Sequence, residues 1–317
     1  MIEIVENDFL KWNIDKKVLP LRFNWKISRN NSVEKTNFFI RVTNGIQTGI
    51  GEVAPNIRYG ETGEIIENHF KLFIEKYQQN YLDLDNFEIF LDSLVLPHSL
   101  RFGIESAFVH FICQKNNIKP ADFFQLQLPQ NVATSFSVPI LEINEIKNFI
   151  EPLKRFKSLK LKVNQEMAFD IINEVSKYSR QKLYIDGNEA WEDVNLLIKF
   201  LNNIRDFNIE FIEQPMPSKF IEEYKYLKKN CPFTLIADES IEDSGDFNLL
   251  KQQFHGINMK LMKAGGYKNG IKILENARQN GLKTMIGCMV ETSLGIYSAF
   301  NLANNVDYLD LDGFLII

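Results

Sequence analysis

The chain has 317 residues with 36 Lys+Arg against 41 Asp+Glu, and this net charge of −5 argues against non-specific nucleic-acid binding, where a basic surface supplies most of the affinity. Its hydrophobic content of 45% and charged content of 24% are ordinary globular values and exclude wholesale disorder. No apolar run approaches the ~20 residues needed to span a bilayer, and at about 150 residues per domain the length suits two domains, or one large α/β barrel with a small partner.

The opening residues 1–6 (MIEIVE) lack a basic region followed by an apolar stretch, so no secretory signal is expected. Residues 37–43 and 46–53 are apolar-rich runs on either side of Asn44-Gly45, which predicts a hairpin with a type I′ turn. Residues 62–79 place Ile65, Ile66, His69, Phe70, Phe73, Ile74 and Tyr77 at helical spacing, and 99–117 read as a mostly buried helix. Strands followed by helices without alternation predict an α+β capping domain over residues 1–125.

From about residue 131 short β-branched runs alternate with amphipathic stretches. The predicted strands are 132–138, 159–163, 183–188, 210–215, 235–240, 257–263, 283–289 and 308–312; helical stretches include 166–179, 193–205, 219–229, 268–279 and 293–304. Regular alternation implies a parallel sheet, and eight units of this period predict a closed (β/α)8 barrel of the TIM type over residues 126–317, in the α/β class. No G-x-G-x-x-G or Walker A motif is present. Cys113, Cys231 and Cys288 are odd in number and far apart, which predicts reduced thiols in a cytoplasmic protein. His69, His98, His110 and His255 show no zinc-ligand spacing, so a bound metal should take oxygen ligands.

Inward barrel positions are normally bulky aliphatics, yet charges stand near the C-terminal ends of several predicted strands: Lys160 and Lys162 on the second, Asp186, Glu213 and Asp238 on the third to fifth, Lys260 on the sixth, Asp310 and Asp312 on the eighth. A lone Asp in such a place is more often a helix cap. A whole set at strand ends is hard to produce by chance, and charges inside a barrel are costly unless paired or metal-bound. Asp186, Glu213 and Asp238 come from adjacent strands and can converge on one hard cation such as Mg²⁺. The second and sixth strands are diametrically opposed in a ring of eight, so Lys162 and Lys260 should face each other across whatever the cation holds. That is a plan for proton abstraction from one face of an α-carbon and return to the other.

At these residues the chain resembles the enolase superfamily, in its muconate-lactonising subgroup, and within it the dipeptide epimerases of the L-Ala-D/L-Glu type. The resemblance rests on LKLKV, YIDGNEAW, FIEQP, ADES, MKLMKAGG, MIGCMVET and DLD, and covers the barrel almost end to end. It implies that Asp186, Glu213 and Asp238 bind one Mg²⁺ per subunit and that Lys162 and Lys260 are the two acid/base catalysts, serving the R and S epimers. It further implies that Lys160 helps neutralise the substrate carboxylate, that Thr134 and Cys288 contact the dipeptide, and that Asp310 and Asp312 receive its ammonium group. Loops near 20–30 and 55–62 of the capping domain are expected to close over the site, with Arg29 first among Arg22, Lys26, Arg29 and Arg58 as the cation for an acidic second residue.

Two features depart from the pattern. Glu189 stands where relatives commonly have Gln, adding a charge expected to point away from the metal. The chain also stops soon after the eighth strand, so a C-terminal return segment is expected to be missing. The expected partners are a small-molecule dipeptide and further copies of the chain, with no nucleic acid and no membrane. An o-succinylbenzoate synthase or muconate cycloisomerase of the same subgroup is the nearest rival, but paired carboxylates at Asp310 and Asp312 would repel an anionic substrate lacking an amine. A Schiff-base aldolase leaves the three acids unexplained. A catalytically inactive barrel acting as a binding protein would have lost a ligand or a lysine, and none is lost.

Overall fold

The computed structural model describes residues 10–77, 81 and 83–317; the segment 1–6 and residues 78 and 79 of the predicted helix lie outside them. Strands β1 (Lys11–Ile27), β2 (Asn30–Thr43) and β3 (Thr48–Val53) form an antiparallel sheet in that order. Phe38, Ile40 and Val42 alternate on the buried face of β2, as period-2 patterning requires. The first strand was not expected; only a loop near 20–30 was. It forms by pairing with β2 from Lys11↔Thr43 to Pro20↔Glu34, and resumes at Trp25↔Ser32 after a register shift at the proline. The predicted loop at 20–30 is thus mostly the far end of a long hairpin. The Asn44-Gly45 turn also differs from expectation. Thr43 pairs with Thr48, leaving a four-residue loop, because the Asn44 side-chain carbonyl accepts the Ile46 and Gln47 N–H groups at 3.0 and 2.8 Å.

Helices α1 (Gly63–Lys76), α2 (Leu84–Asp92) and α3 (His98–Asn116) pack on this sheet. Strand β3 lies so close to α3 that a Cβ on Gly51 would stand 2.0 Å from the Gly103 carbonyl oxygen, so only glycine fits there.

After α4 (Pro120–Phe123) come eight parallel strands in chain order around one sheet: β4 (Phe136–Val138), β5 (Ser158–Lys162), β6 (Lys182–Asp186), β7 (Ile209–Glu213), β8 (Thr234–Ala237), β9 (Gly256–Met259), β10 (Lys283–Gly287) and β11 (Tyr308–Asp310). The ring closes where the Ser135 N–H donates to the Leu309 carbonyl at 3.2 Å. Outside lie α5 (Ile143–Ile150), α6 (Ala168–Tyr178), α7 (Val194–Asn203), α8 (Ile221–Asn230), α9 (Phe247–Gln253), α11 (Tyr267–Gln279) and α12 (Ser293–Phe300), while the short α10 (Leu261–Ala264) packs on α3 and α13 (Gly313–Ile316) lies against β1 at the barrel mouth. This is the (β/α)8 architecture with an α+β cap that the patterning predicts.

The strands are shorter than expected, and Asp238, Lys260, Cys288 and Asp312 fall just past their ends. The predicted strand 257–263 breaks at Met259, and Leu261–Ala264 turns helical before Gly265 ends it at φ +74°. Inside the barrel the lower layer is apolar, with Tyr184 stacked on Phe211 at 4.2 Å beside Ile236, Met285 and Tyr308. Two buried cap carboxylates hold the cap to the barrel by accepting N–H groups at helix starts. Glu105 takes the Tyr267 N–H of α11 at 2.8 Å, and Glu52 takes those of Thr292 and Gly295 at α12. No helix among the described residues is long and apolar enough to cross a membrane.

Candidate active site

Side-chain alternation in β5 sends Leu159 and Leu161 outward and turns both Lys160 and Lys162 into the upper barrel. The parallel register then sets the acids at matching height: Lys162 lies opposite Asp186, and Asp186 opposite Glu213. Lys162 Nζ is 2.6 Å from Asp186 Oδ2. Lys160, only 1% exposed, places its Nζ 2.8 Å from Glu213, 2.8 Å from Asp310 and 3.1 Å from Asp186. Across the ring Lys260 Nζ sits 2.8 Å from Asp238 Oδ2. Lys162 and Lys260 are thus held by different carboxylates on different sides of one cavity of about 560 Å³, which Lys160, Asp238, Cys288, Asp310 and Asp312 also line.

Burial opposes charge on the three acids and on Lys260, and the neighbouring charges decide the outcome. Burial would raise the Asp186 carboxyl, but Lys162 and Lys160 outweigh it and hold it below the usual range. Asp238 is likewise held well below it by Lys260, Lys263 and Lys160. Glu213 goes the other way, pushed up to about 7 by burial and by Asp186 and Asp238 against the pull of Lys160. Burial would lower Lys260, yet the Asp238 charge raises it above the ordinary lysine range.

Asp186, Glu213 and Asp238 supply hard carboxylate oxygens from adjacent strands, the donor chemistry of Mg²⁺. Glu213 Oε1 accepts the Asn258 amide at 2.8 Å, while its buried Oε2 has no aligned hydrogen bond. That oxygen faces the Lys160 ammonium at 2.8 Å, and an oxygen already turned toward positive charge fits a cation site. Among the described residues no three His, Cys, Asp or Glu close into a cation cage; the lysine ammonium groups stand between the acids.

The remaining expected residues divide. Asp310 accepts from Ser135 Oγ at 2.7 Å as well as from Lys160. Asp312 accepts the Ser137 N–H at 2.5 Å, and burial with the Asp310 charge raises it to about 7. It was expected on the last strand but sits at the start of α13. Cys288 lines the cavity as a neutral thiol, since burial and Asp312 push it far above its usual range. Thr134 does not line it: β4 begins only at Phe136, and the Thr134 hydroxyl accepts the Leu311 N–H at 2.7 Å in the barrel seam. Ser137 takes the cavity position on that strand.

Arg29 reaches the cavity mouth but is taken: its guanidinium lies 2.6 Å from Glu239, 3.7 Å from Glu189 and 3.0 Å from the Asn188 carbonyl. Arg58 makes a two-pronged pair with Glu189 at 2.9 and 3.0 Å, and Arg22 Nε donates to the Ile317 carbonyl. Glu189 points away from the three acids and toward the cap, as expected.

Several positioning groups escaped sequence reasoning. Lys263, one helical turn after Lys260, is buried and donates to Asp238 Oδ1 and to the Asp238 and Ile241 carbonyls at 2.6–2.8 Å. The K-x-x-K spacing in MKLMKAGG was the available signal. Gln214, at φ +33°, accepts the Asp238 and Ser240 N–H groups and so fixes the loop that carries Asp238; nothing in its spacing announces this.

A family model described as Enolase C-terminal domain-like matches residues 146–309. The chain is 33% identical over 278 residues to the L-Ala-D/L-amino acid epimerase of Pedosphaera parvula (strain Ellin514), covering 84% of this chain and 78% of that protein. It is 28% identical over 315 residues to the hydrophobic dipeptide epimerase of Flavobacteria bacterium (strain MS024-2A), covering 96% and 89%. Among solved structures, the dipeptide epimerase from Enterococcus faecalis V583 complexed with Mg and L-Leu-L-Tyr superposes with a TM-score of 0.89 at 25% identity, over 95% of this chain and 89% of that one.

Proposed function

We propose, from the premise that this chain belongs to the enolase C-terminal domain-like family, that it is an isomerase, a Mg²⁺-dependent dipeptide epimerase that inverts the α-carbon of the C-terminal residue by two-base proton transfer through an enediolate. The observation that carries this reading is the placement of Lys162 and Lys260 on opposed sides of one cavity, each against a different carboxylate. A lysine on one side of a planar enediolate reaches one face only, so inversion needs both.

We assign Asp186, Glu213 and Asp238 as the residues that hold one Mg²⁺ per subunit. When bound, the cation supplies positive charge that neutralises the developing charge on the substrate carboxylate and eases deprotonation of the nearby ammonium groups. Lys160 adds a fixed positive charge beside that carboxylate. Asp310 and Asp312 take the substrate's N-terminal ammonium and so place the α-carbon between the lysines. One lysine Nζ, neutral, takes the α-proton; the other, protonated, delivers its proton to the same carbon from the opposite side. The cap hairpin and the 55–60 segment supply the outer wall and exclude water. The free thiols Cys113, Cys231 and Cys288 support a cytoplasmic setting.

The test is a dipeptide library incubated in D₂O with the protein and Mg²⁺, read by mass spectrometry for uptake of one α-deuterium. Uptake with inversion at the C-terminal residue is the expected result, and no uptake from any dipeptide would refute the reading.

A further inference from the structure

The cap faces the cavity with two kinds of surface. One face of β1 contributes Leu21, Trp25 and Ile27 to the lining. Phe23 of the same face packs on Phe149 at 4.9 Å and fixes this strand over the barrel mouth. The Trp25 ring lies 6.0 Å from Lys162 Nζ, so the apolar wall stands directly above a lysine assigned to the α-carbon. A side chain leaving that carbon toward the cap would meet it.

The second kind of surface is cationic, and its two guanidinium charges are already matched. Arg58 gives both prongs to Glu189, which also accepts the Ser218 N–H at 2.9 Å. Arg29 is held by the buried Glu239 and by the Asn188 carbonyl. Lys35, the other cap cation lining the cavity, makes no ion pair among the described residues; it donates to the Pro55 carbonyl, and burial lowers it below the ordinary lysine range. Lys26 is not among the lining residues. An acidic substrate side chain arriving here would compete with carboxylates already in place, and would lose water without gaining a free guanidinium.

We propose that Glu189 is a specificity-determining residue: by occupying Arg58, alongside the hold of Glu239 on Arg29, it leaves no free guanidinium at the mouth among the described residues, so the second residue of the dipeptide is uncharged and apolar and seats against Leu21, Trp25 and Ile27. This rests on the dipeptide epimerase reading. It makes Glu189, and not an arginine, the group that sets the preference. Removing its charge frees a guanidinium at the mouth for an acidic side chain.

The experiment measures kcat/KM with Mg²⁺ for L-Ala-L-Leu, L-Ala-L-Glu and L-Ala-L-Lys on the full chain, on E189Q and on E189Q/R58Q, with calorimetric titration of L-Ala-L-Glu into each. The unsubstituted protein should favour L-Ala-L-Leu over both charged dipeptides by at least about tenfold. E189Q should narrow the Leu/Glu ratio by about tenfold, chiefly through KM and with tighter calorimetric binding of L-Ala-L-Glu. The double variant should restore the original ratio, because the freed guanidinium causes the change. The proposal is overturned if the unsubstituted protein handles either charged dipeptide as well as L-Ala-L-Leu, or if E189Q leaves the ratio unchanged. Should E189Q not fold, the ratios of the unsubstituted protein decide alone. Failure of the folded protein to exchange an α-proton from any of the three would overturn the epimerase reading itself, which a mistaken specificity would not produce.

Discussion

Lys162 stands directly opposite Asp186 in the parallel β5–β6 register, with its Nζ 2.6 Å from the Asp186 carboxylate. Lys260 has the same relation to Asp238 across the barrel, at 2.8 Å. Each lysine is thereby tied to one acid of the cluster, and the two halves of the site can be perturbed separately.

Lys162→Ala and Lys260→Ala should each abolish epimerisation, by at least about a thousandfold. Each variant should retain slow deuterium exchange into one pure epimer without inversion, and the two should select opposite epimers. NMR of the α-proton in D₂O checks this. A single variant that still epimerises near the original rate would mean that one base serves both faces.

Excess chelator should abolish turnover, with Mg²⁺ restoring it. Glu213→Gln should lower kcat/KM by at least about a hundredfold while moving the thermal midpoint little. Its Oε1 position can still accept the Asn258 amide, and Lys160, which loses the Glu213 charge at 2.8 Å, keeps Asp310 and Asp186 at 2.8 and 3.1 Å. Full activity in chelator would remove the cation from the reaction.

Asp312 is raised to about 7 by burial and by Asp310, so part of it is protonated at neutral pH before an ammonium arrives. The ionised form attracts the substrate amine better. Hence kcat/KM for free dipeptides should rise with pH through about 7, until the substrate amine itself deprotonates near pH 8. Asp312→Asn should raise KM and erase that rise. N-acetylated dipeptides reacting as well as free ones would show the anchor to be misassigned.

Glu291 is pushed up to about 8 by burial and the neighbouring Glu52, against the pull of Lys260 and Lys35. It binds a proton in the folded chain at pH values where the unfolded chain has lost it. Its contribution is therefore full below the ordinary carboxylate range, about 4.5, and is lost as pH rises from there to about 8, with a slope of at most about 1.4 kcal/mol per pH unit. Glu213 and Asp312 add to the same fall, so stability, read from denaturation midpoints, should decline across pH 5–9 and Glu291→Gln should make that decline shallower by up to the Glu291 slope.

What the chain determined by itself is the part governed by local periodicity. Alternation in LKLKV fixes which lysines face inward whatever surrounds them, and the recurrence of strand and helix from residue 131 onward specifies a parallel barrel with its acids on neighbouring strands. The tertiary structure decided what depends on partners distant in sequence. β1 is a strand only because β2 pairs with it, and no local pattern outweighs Pro20 and the lysines. Thr134 leaves the cavity because the seam between the first and last barrel strands claims its hydroxyl. Arg29 and Arg58 read in sequence as free cations; Glu239 and Glu189, more than 100 residues away, neutralise them. Sequence spacing carries the direction of a side chain within its own element. Which charge it meets is settled only when the cap folds onto the barrel, because an ion pair has no period.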